Sequence, residues 1–168
     1  MKKFLKLFLI VLFCSITIKS VAFATMIEGG VKYDVDSARE YVQEGIPDNF
    51  TFTGHAYFKN SPYVQKAVYT YNNSGIVIGV TALYKGENDV AYIYGRDMSL
   101  RNVDKYDRSV FIYPHRGYRY DLNGNLVLTS LTVSKNELFR FTPSGQLLAH
   151  SVNGIIYDEN GNMIGRAK

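Results

Sequence analysis

Three histidines, His55, His115 and His150, are the first residues to weigh for chemistry. None has a second metal-binding residue at helical or hairpin ligand spacing, so they read as scattered surface or strand histidines, with His115 in a turn, Tyr113-Pro-His-Arg-Gly117. Glu87, Asp97, Asp104 and Asp107 could pair in space for acid–base work, but they stand in polar stretches and read as solvated loop charges. Asp121-x-Asn123-x-Asn125 and Asp158-x-Asn160-x-Asn162 imitate the start of a calcium loop. Leu126 and Met163 stand where such a loop needs glycine, so hairpin turns are expected instead. The chain contains no Gly-x-Ser-x-Gly elbow, phosphate-cradling glycine loop or His-Glu-x-x-His. No catalytic residue, metal or cofactor is therefore assigned.

Tyrosine is the other chemically useful type. All 14 lie beyond residue 24, and strands favour them for packing alone. A contact face would draw on the dense run Tyr92, Tyr94, Tyr113, Tyr118 and Tyr120, since each ring offers an apolar face and a polar tip.

The elements that position these residues follow from one repeated pattern: apolar, spacer, aromatic, three turn residues, glycine, spacer, two apolar residues. Its copies are Tyr69-x-Tyr71…Gly75-x-Val77-Ile78, Tyr118-x-Tyr120…Gly124-x-Leu126-Val127, Phe139-x-Phe141…Gly145-x-Leu147-Leu148 and Ile155-x-Tyr157…Gly161-x-Met163-Ile164. An Asp or Asn after the aromatic opens a type I turn, and glycine supplies the left-handed residue of a bulge-closed hairpin. The adjacent pair Leu126-Val127 suggests strands covered on both faces. The pattern predicts a mainly β fold, an antiparallel meander or open barrel of repeated hairpins. Residues 95–109, polar and mixed in charge, read as a long connection. One short helix precedes the strands: Ser37-Ala38-Arg39-Glu40 has the form of a capping box, Ala38, Tyr41 and Val42 share a face, and Gly45 with Pro47 ends it.

Tyr118-Arg-Tyr120-Asp121-Leu-Asn-Gly124-Asn125 and Ile155-Ile-Tyr157-Asp158-Glu-Asn-Gly161-Asn162 resemble the Tyr-Asp-x-x-Gly-Asn core of YD (Rhs-type) repeats, over about the last 50 residues. That resemblance implies β-hairpin units and an exported bacterial setting, and carries no activity.

Export is also expected from the start of the chain. Lys2 and Lys3 precede an apolar run over residues 4–18, and Ala22-Phe23-Ala24 places small residues where a signal peptidase cuts. Residues 1–24 then form a signal peptide, and membrane contact is limited to this leader before cleavage. Residues 25–168 form a single β-rich domain, with a helical segment over 25–49 and hairpins over 50–168. Four of the 19 basic residues and none of the 15 acidic ones fall in the leader, so the remainder is near neutral and gives no reason to expect nucleic acid. The single cysteine, Cys14, is also in the leader. The expected role is an exported non-enzymatic β-repeat module, periplasmic or extracellular, that binds a protein or glycan of the cell envelope or contributes to a surface assembly. The alternative is a small secreted hydrolase with dispersed site residues. A concave pocket with converging titratable groups favours the enzyme, and a flat tyrosine-lined sheet favours binding.

Overall fold

The computed structural model describes residues 33–47, 50 and 55–167. The expected leader lies outside them. Ten antiparallel strands run in chain order as β1 (Val64–Tyr71), β2 (Val77–Tyr84), β3 (Val90–Gly95), β4 (Leu100–Tyr106), β5 (His115–Asp121), β6 (Leu126–Ser134), β7 (Glu137–Phe141), β8 (Leu147–Val152), β9 (Ile155–Tyr157) and β10 (Met163–Ala167). Each pairs with the next, and β10 pairs with β1 to close a barrel. The mainly β, hairpin-built fold expected from the sequence is therefore the observed one, as a closed barrel.

The repeated pattern builds the turns at one end. In each copy the residue after the aromatic and the glycine make the same two backbone bonds: Asp121 N–H to Asn125 O (2.9 Å) and Gly124 N–H to Asp121 O (3.1 Å) stand for all four. The glycines take φ between 76° and 88°. The second apolar residue has a different part from the expected one. Register passes from Tyr71↔Val77 to Thr70↔Gly79, from Tyr120↔Leu126 to Arg119↔Leu128, and likewise in the other two copies. Ile78, Val127, Leu148 and Ile164 are thus the extra residues of β-bulges and stay 38–47% exposed, rather than packing under a second layer.

A fifth copy stands where a long connection was expected. Tyr94-Gly95-Arg96-Asp97-Met98-Ser99-Leu100-Arg101 makes the same pair of bonds, Gly95 N–H to Ser99 O and Met98 N–H to Gly95 O (both 2.9 Å), and its bulge residue is Arg101. Met98 occupies the glycine position at φ 62°, and an arginine replaces the apolar bulge residue. Those two substitutions hide the hairpin from the pattern.

The helix α1 (Val35–Gln43) starts three residues earlier than the expected capping box places it. Asp34 caps it: its carboxylate accepts the Ser37 amide (2.8 Å), and the Asp34 amide donates to Ser37 Oγ (3.0 Å). A carboxylate complements the positive helix end better than a hydroxyl, so Asp34 takes the cap and Ser37 the reciprocal role. Gly45 follows the helix without a left-handed φ. An added Cβ there would sit 2.4 Å from Arg116 Nη1, so its small size matters instead.

The apolar strand residues point outward. Ala38 and Val42 of α1 pack with Tyr118, Tyr120, Leu131, Val133, Phe139 and Phe141 on the outside of β5–β7. Phe50 and Phe58 cover a second patch, Val80, Ala82, Tyr84, Tyr92, Tyr94 and Val103, outside β2–β4. The N-terminal segment thus wraps the wall. Arg116 helps hold it, 4.1 Å over the Tyr41 ring and 3.4 Å from Glu44.

The closing seam is short, with Thr70↔Ala167 and Tyr71↔Arg166 as its registered pairs. A Cβ on Gly165 would lie 2.8 Å from the Tyr71 carbonyl oxygen, whereas one on Gly161 meets nothing within 4 Å. Gly161→Ala is expected to cost about 1 kcal/mol through its left-handed φ alone. Gly165→Ala is expected to cost roughly 2–3 kcal/mol because the seam must part. Urea midpoints of the two variants check this ordering.

Candidate functional site

Residues alternating with the outward apolar set face inward. Side chains from β1, β2, β4, β5, β6, β7, β8 and β10 line a single cavity of about 220 Å³, and only the barrel interior can bring all these strands together. A second chamber of about 180 Å³ shares Val68, Thr81, Tyr106, Thr132, Ser134 and Lys135 with it, so the two adjoin inside the barrel.

The deeper chamber is polar. Asp104 on β4 and Arg119 on β5 are direct cross-strand partners. Arg119 Nε and Nη2 donate to the two Asp104 oxygens at 2.7 and 2.8 Å, a bidentate pair. Burial alone would lower the Arg119 guanidinium, and the Asp104 charge, its hydrogen bonds and the Tyr106 phenol together more than reverse that. Tyr106 Oη sits 3.5 Å from Asp104 Oδ2, and burial raises its phenol well above the usual range. Arg140 on β7 stands opposite Ser130 in register and lines the same chamber. Burial, then repulsion from Arg119, brings its guanidinium down to about 10. It remains charged at neutral pH. Among the described residues, Arg140 has no hydrogen-bond or ion-pair partner for its side chain. Two guanidiniums thus share one carboxylate, and Lys66 and Lys135 add positive charge to the lumen's lining.

The other chamber carries an apolar and aromatic lining: Leu83, Ala91, Val110, Phe111, Tyr113 and His115. His115 begins β5 rather than lying in a turn, and is only 3% exposed. Its Nδ1 is 3.0 Å from the Ile112 carbonyl, and its ring meets Tyr113 (5.4 Å, stacked) and Tyr106 (5.1 Å, edge-on). Burial lowers its pKa below 6.5, with the Ile112 bond opposing and Asp107 and Arg108 adding opposite smaller effects. The unfolded ring then binds protons first, so this contribution to stability is complete above about pH 6.5 and is lost as pH falls toward the lower folded value. The drop in urea midpoint between pH 7 and pH 5 is expected to be smaller in His115→Gln than in the unchanged chain.

The sequence-assigned residues fall elsewhere. Tyr92, Tyr94, Tyr118 and Tyr120 are 1–4% exposed, under Phe50, Phe58 and α1, so they offer no contact face. Tyr113 alone of the five is open, 38% exposed, and it lines the lumen. Asp104 is buried in the lumen rather than solvated in a loop. His150 is also buried, with Nε2 2.8 Å from Glu137 Oε1 and its ring stacked on Phe139. His55 stacks on Tyr84 at 3.7 Å and approaches Glu87 at 3.4 Å. Asp121 accepts bonds from within its own turn on both oxygens, from Asn123 and Asn125, and its pKa falls accordingly.

Arg119, Arg140 and Lys66 are missed by motif reasoning because they occupy the polar positions of alternating strands, and Lys135 because it sits in the β6–β7 turn, places that ordinarily face solvent. The signal in the sequence is Arg119 between Tyr118 and Tyr120, and Arg140 between Phe139 and Phe141: the same cation in the same place in two copies. No family model, curated protein or solved structure matches the chain.

Proposed function

We propose that this protein is an exported, non-enzymatic binding module whose barrel lumen takes up a small anion. The observation that carries this is Arg140, a charged guanidinium facing the concave lumen with no protein partner among the described residues. A half-buried charge inside the barrel favours an opposite one beside it, and with Asp104 already bound in both oxygens by Arg119, a ligand anion supplies it. The size of the chambers suits a small molecule better than a protein segment or glycan chain. Export rests on the leader pattern, and the YD-like turns fit the same setting.

The concave pocket with converging titratable groups is the feature that favoured a hydrolase. Its members are poorly suited to that work. Asp104 is held by Arg119, the arginines do not exchange protons near neutrality, the Tyr106 phenol is raised, and the neighbouring Ser130 hydroxyl donates to the Gly117 carbonyl at 3.3 Å. These groups fix charge in place, which is what recognition needs.

The test is calorimetric titration with sodium acetate and inorganic phosphate. Arg140-dependent binding of either anion is expected, with at least tenfold loss in Arg140→Met. If neither anion binds the unchanged protein, the reading fails.

A further inference from the structure

We infer that the lumen selects an aromatic monocarboxylate, with its carboxylate at Arg140 and its ring in the Tyr106–Tyr113–His115 chamber; this rests on the anion-binding reading above. The charge count sets the head group. The lining of the deep chamber carries Arg119, Arg140 and Lys135 against Asp104 and Glu137, an excess of one positive charge. A singly charged carboxylate balances it, whereas a dianion leaves a net negative charge where the walls are barrel interior. A carboxylate also matches the planar fork of a guanidinium through two parallel bonds.

The second chamber sets the body of the ligand. Moving from Arg140 through the shared residues Val68 and Thr132, the lining changes to Leu83, Ala91, Val110 and Phe111. Three rings stand together there. Tyr113 and His115 lie nearly parallel, 26° apart, and Tyr106 meets His115 edge-on at 83°. These rings already touch one another, so a ligand ring lies beside them, against the partly exposed Phe111 and Tyr113 and the aliphatic lining. His115, 3% exposed behind Tyr113, is neutral above its lowered pKa, so the wall behind the ligand ring adds no charge near neutral pH. The 49% exposed Phe111 and 38% exposed Tyr113 put the opening of this chamber at residues 110–113, and a ligand ring there removes both from water. Head group and body therefore have adjoining chambers, of which a compact inorganic anion fills only one.

Titration of the purified protein with benzoate, acetate and benzamide at one ionic strength separates the possibilities. Benzoate is expected to bind at least tenfold more tightly than acetate, and benzamide at least tenfold more weakly than benzoate. Phe111→Ala with Tyr113→Ser, both at partly exposed positions, is expected to bring benzoate down to the acetate level and leave acetate unchanged. Acetate binding that depends on Arg140, with benzoate no tighter, overturns the aromatic selection and leaves the anion reading standing. Failure of all three to bind overturns the aromatic selection, and the anion reading then stands or falls on the phosphate titration; benzamide binding as tightly as benzoate overturns the placement of a carboxylate at Arg140. The comparison among ligands needs only the unchanged protein, so a misfolded variant cannot obscure it.

Discussion

Asp104→Asn is expected to lower stability by about 3 kcal/mol, the low end for breaking a buried ion pair by removing one partner. Asn is close in size, so cavity formation contributes little. Its single acceptor oxygen can take one of the two Arg119 bonds, and its amide then faces another donor. The larger effect is electrostatic. Without Asp104, Arg119 and Arg140 repel each other inside the barrel with no carboxylate between them. Against the 5–15 kcal/mol of a typical domain, that corresponds to a melting temperature lower by roughly 10 °C. Two further results distinguish this cause from simple damage. Adding Arg140→Met to Asp104→Asn is expected to restore part of the loss, the non-additivity expected when the second substitution removes a charge that repels Arg119. Adding acetate is expected to raise the melting temperature of Asp104→Asn more than that of the unchanged protein, because an anion takes the carboxylate's place. A loss under 0.5 kcal/mol would mean that Asp104 is bathed in bulk water and that the chamber is not enclosed.

Val42→Asp is expected to have an effect of similar size or larger, of order 3–5 kcal/mol. Val42 is fully buried between α1 and the outer wall, in a cluster with Leu131, Val133, Phe139 and Phe141. No basic side chain of α1 points into that cluster: Arg39 is engaged outward by Asp36 at 2.6 Å and the Gly145 carbonyl at 2.6 Å. An aspartate there must either protonate or free the helix. Freeing it bares phenylalanine and tyrosine rings over β5–β7, so dye binding and self-association should rise along with the fall in melting temperature. Glu40→Lys, on the exposed side of the same helix, should stay within about 0.5 kcal/mol. Equal effects of the two substitutions would mean that α1 does not cover the wall.

The hairpins were legible because their determinants are local. Aspartate or asparagine at the turn start and glycine at φ near +80° are demands of four or five consecutive residues, and they recur with the aromatic that pairs across the turn. The same locality explains the miss at residues 95–101, where Met98 adopts the turn conformation without the residue that advertises it. Closure of the barrel was not legible, since it depends on β1 meeting β10 across nearly the whole chain. Nor was the direction in which the strands face. Alternation says that Tyr118 and Tyr120 point one way and Arg119 the other, but two-sided burial is decided by what covers each side. Here the N-terminal wrap takes the apolar side, and the polar side becomes the interior. That inversion buries the tyrosines expected at the surface and makes Asp104, Arg119 and Arg140 neighbours. The candidate site is thus a product of closure plus wrapping, neither of which is written in any short segment.

The central physical claim is an electropositive, water-accessible lumen on the polar side of the strands. Its most direct test uses a lone thiol. In a Cys14→Ser background, Thr132→Cys places one sulfur in the lumen, where Thr132 lines both chambers, while Leu131→Cys places it in the covered outer cluster. The rates of modification by small anionic and cationic thiosulfonates are then compared. Thr132→Cys is predicted to react with both, the anionic reagent faster by about tenfold at low salt, and Leu131→Cys with neither. A Thr132→Cys thiol that is unreactive, or that prefers the cationic reagent, would contradict the claim.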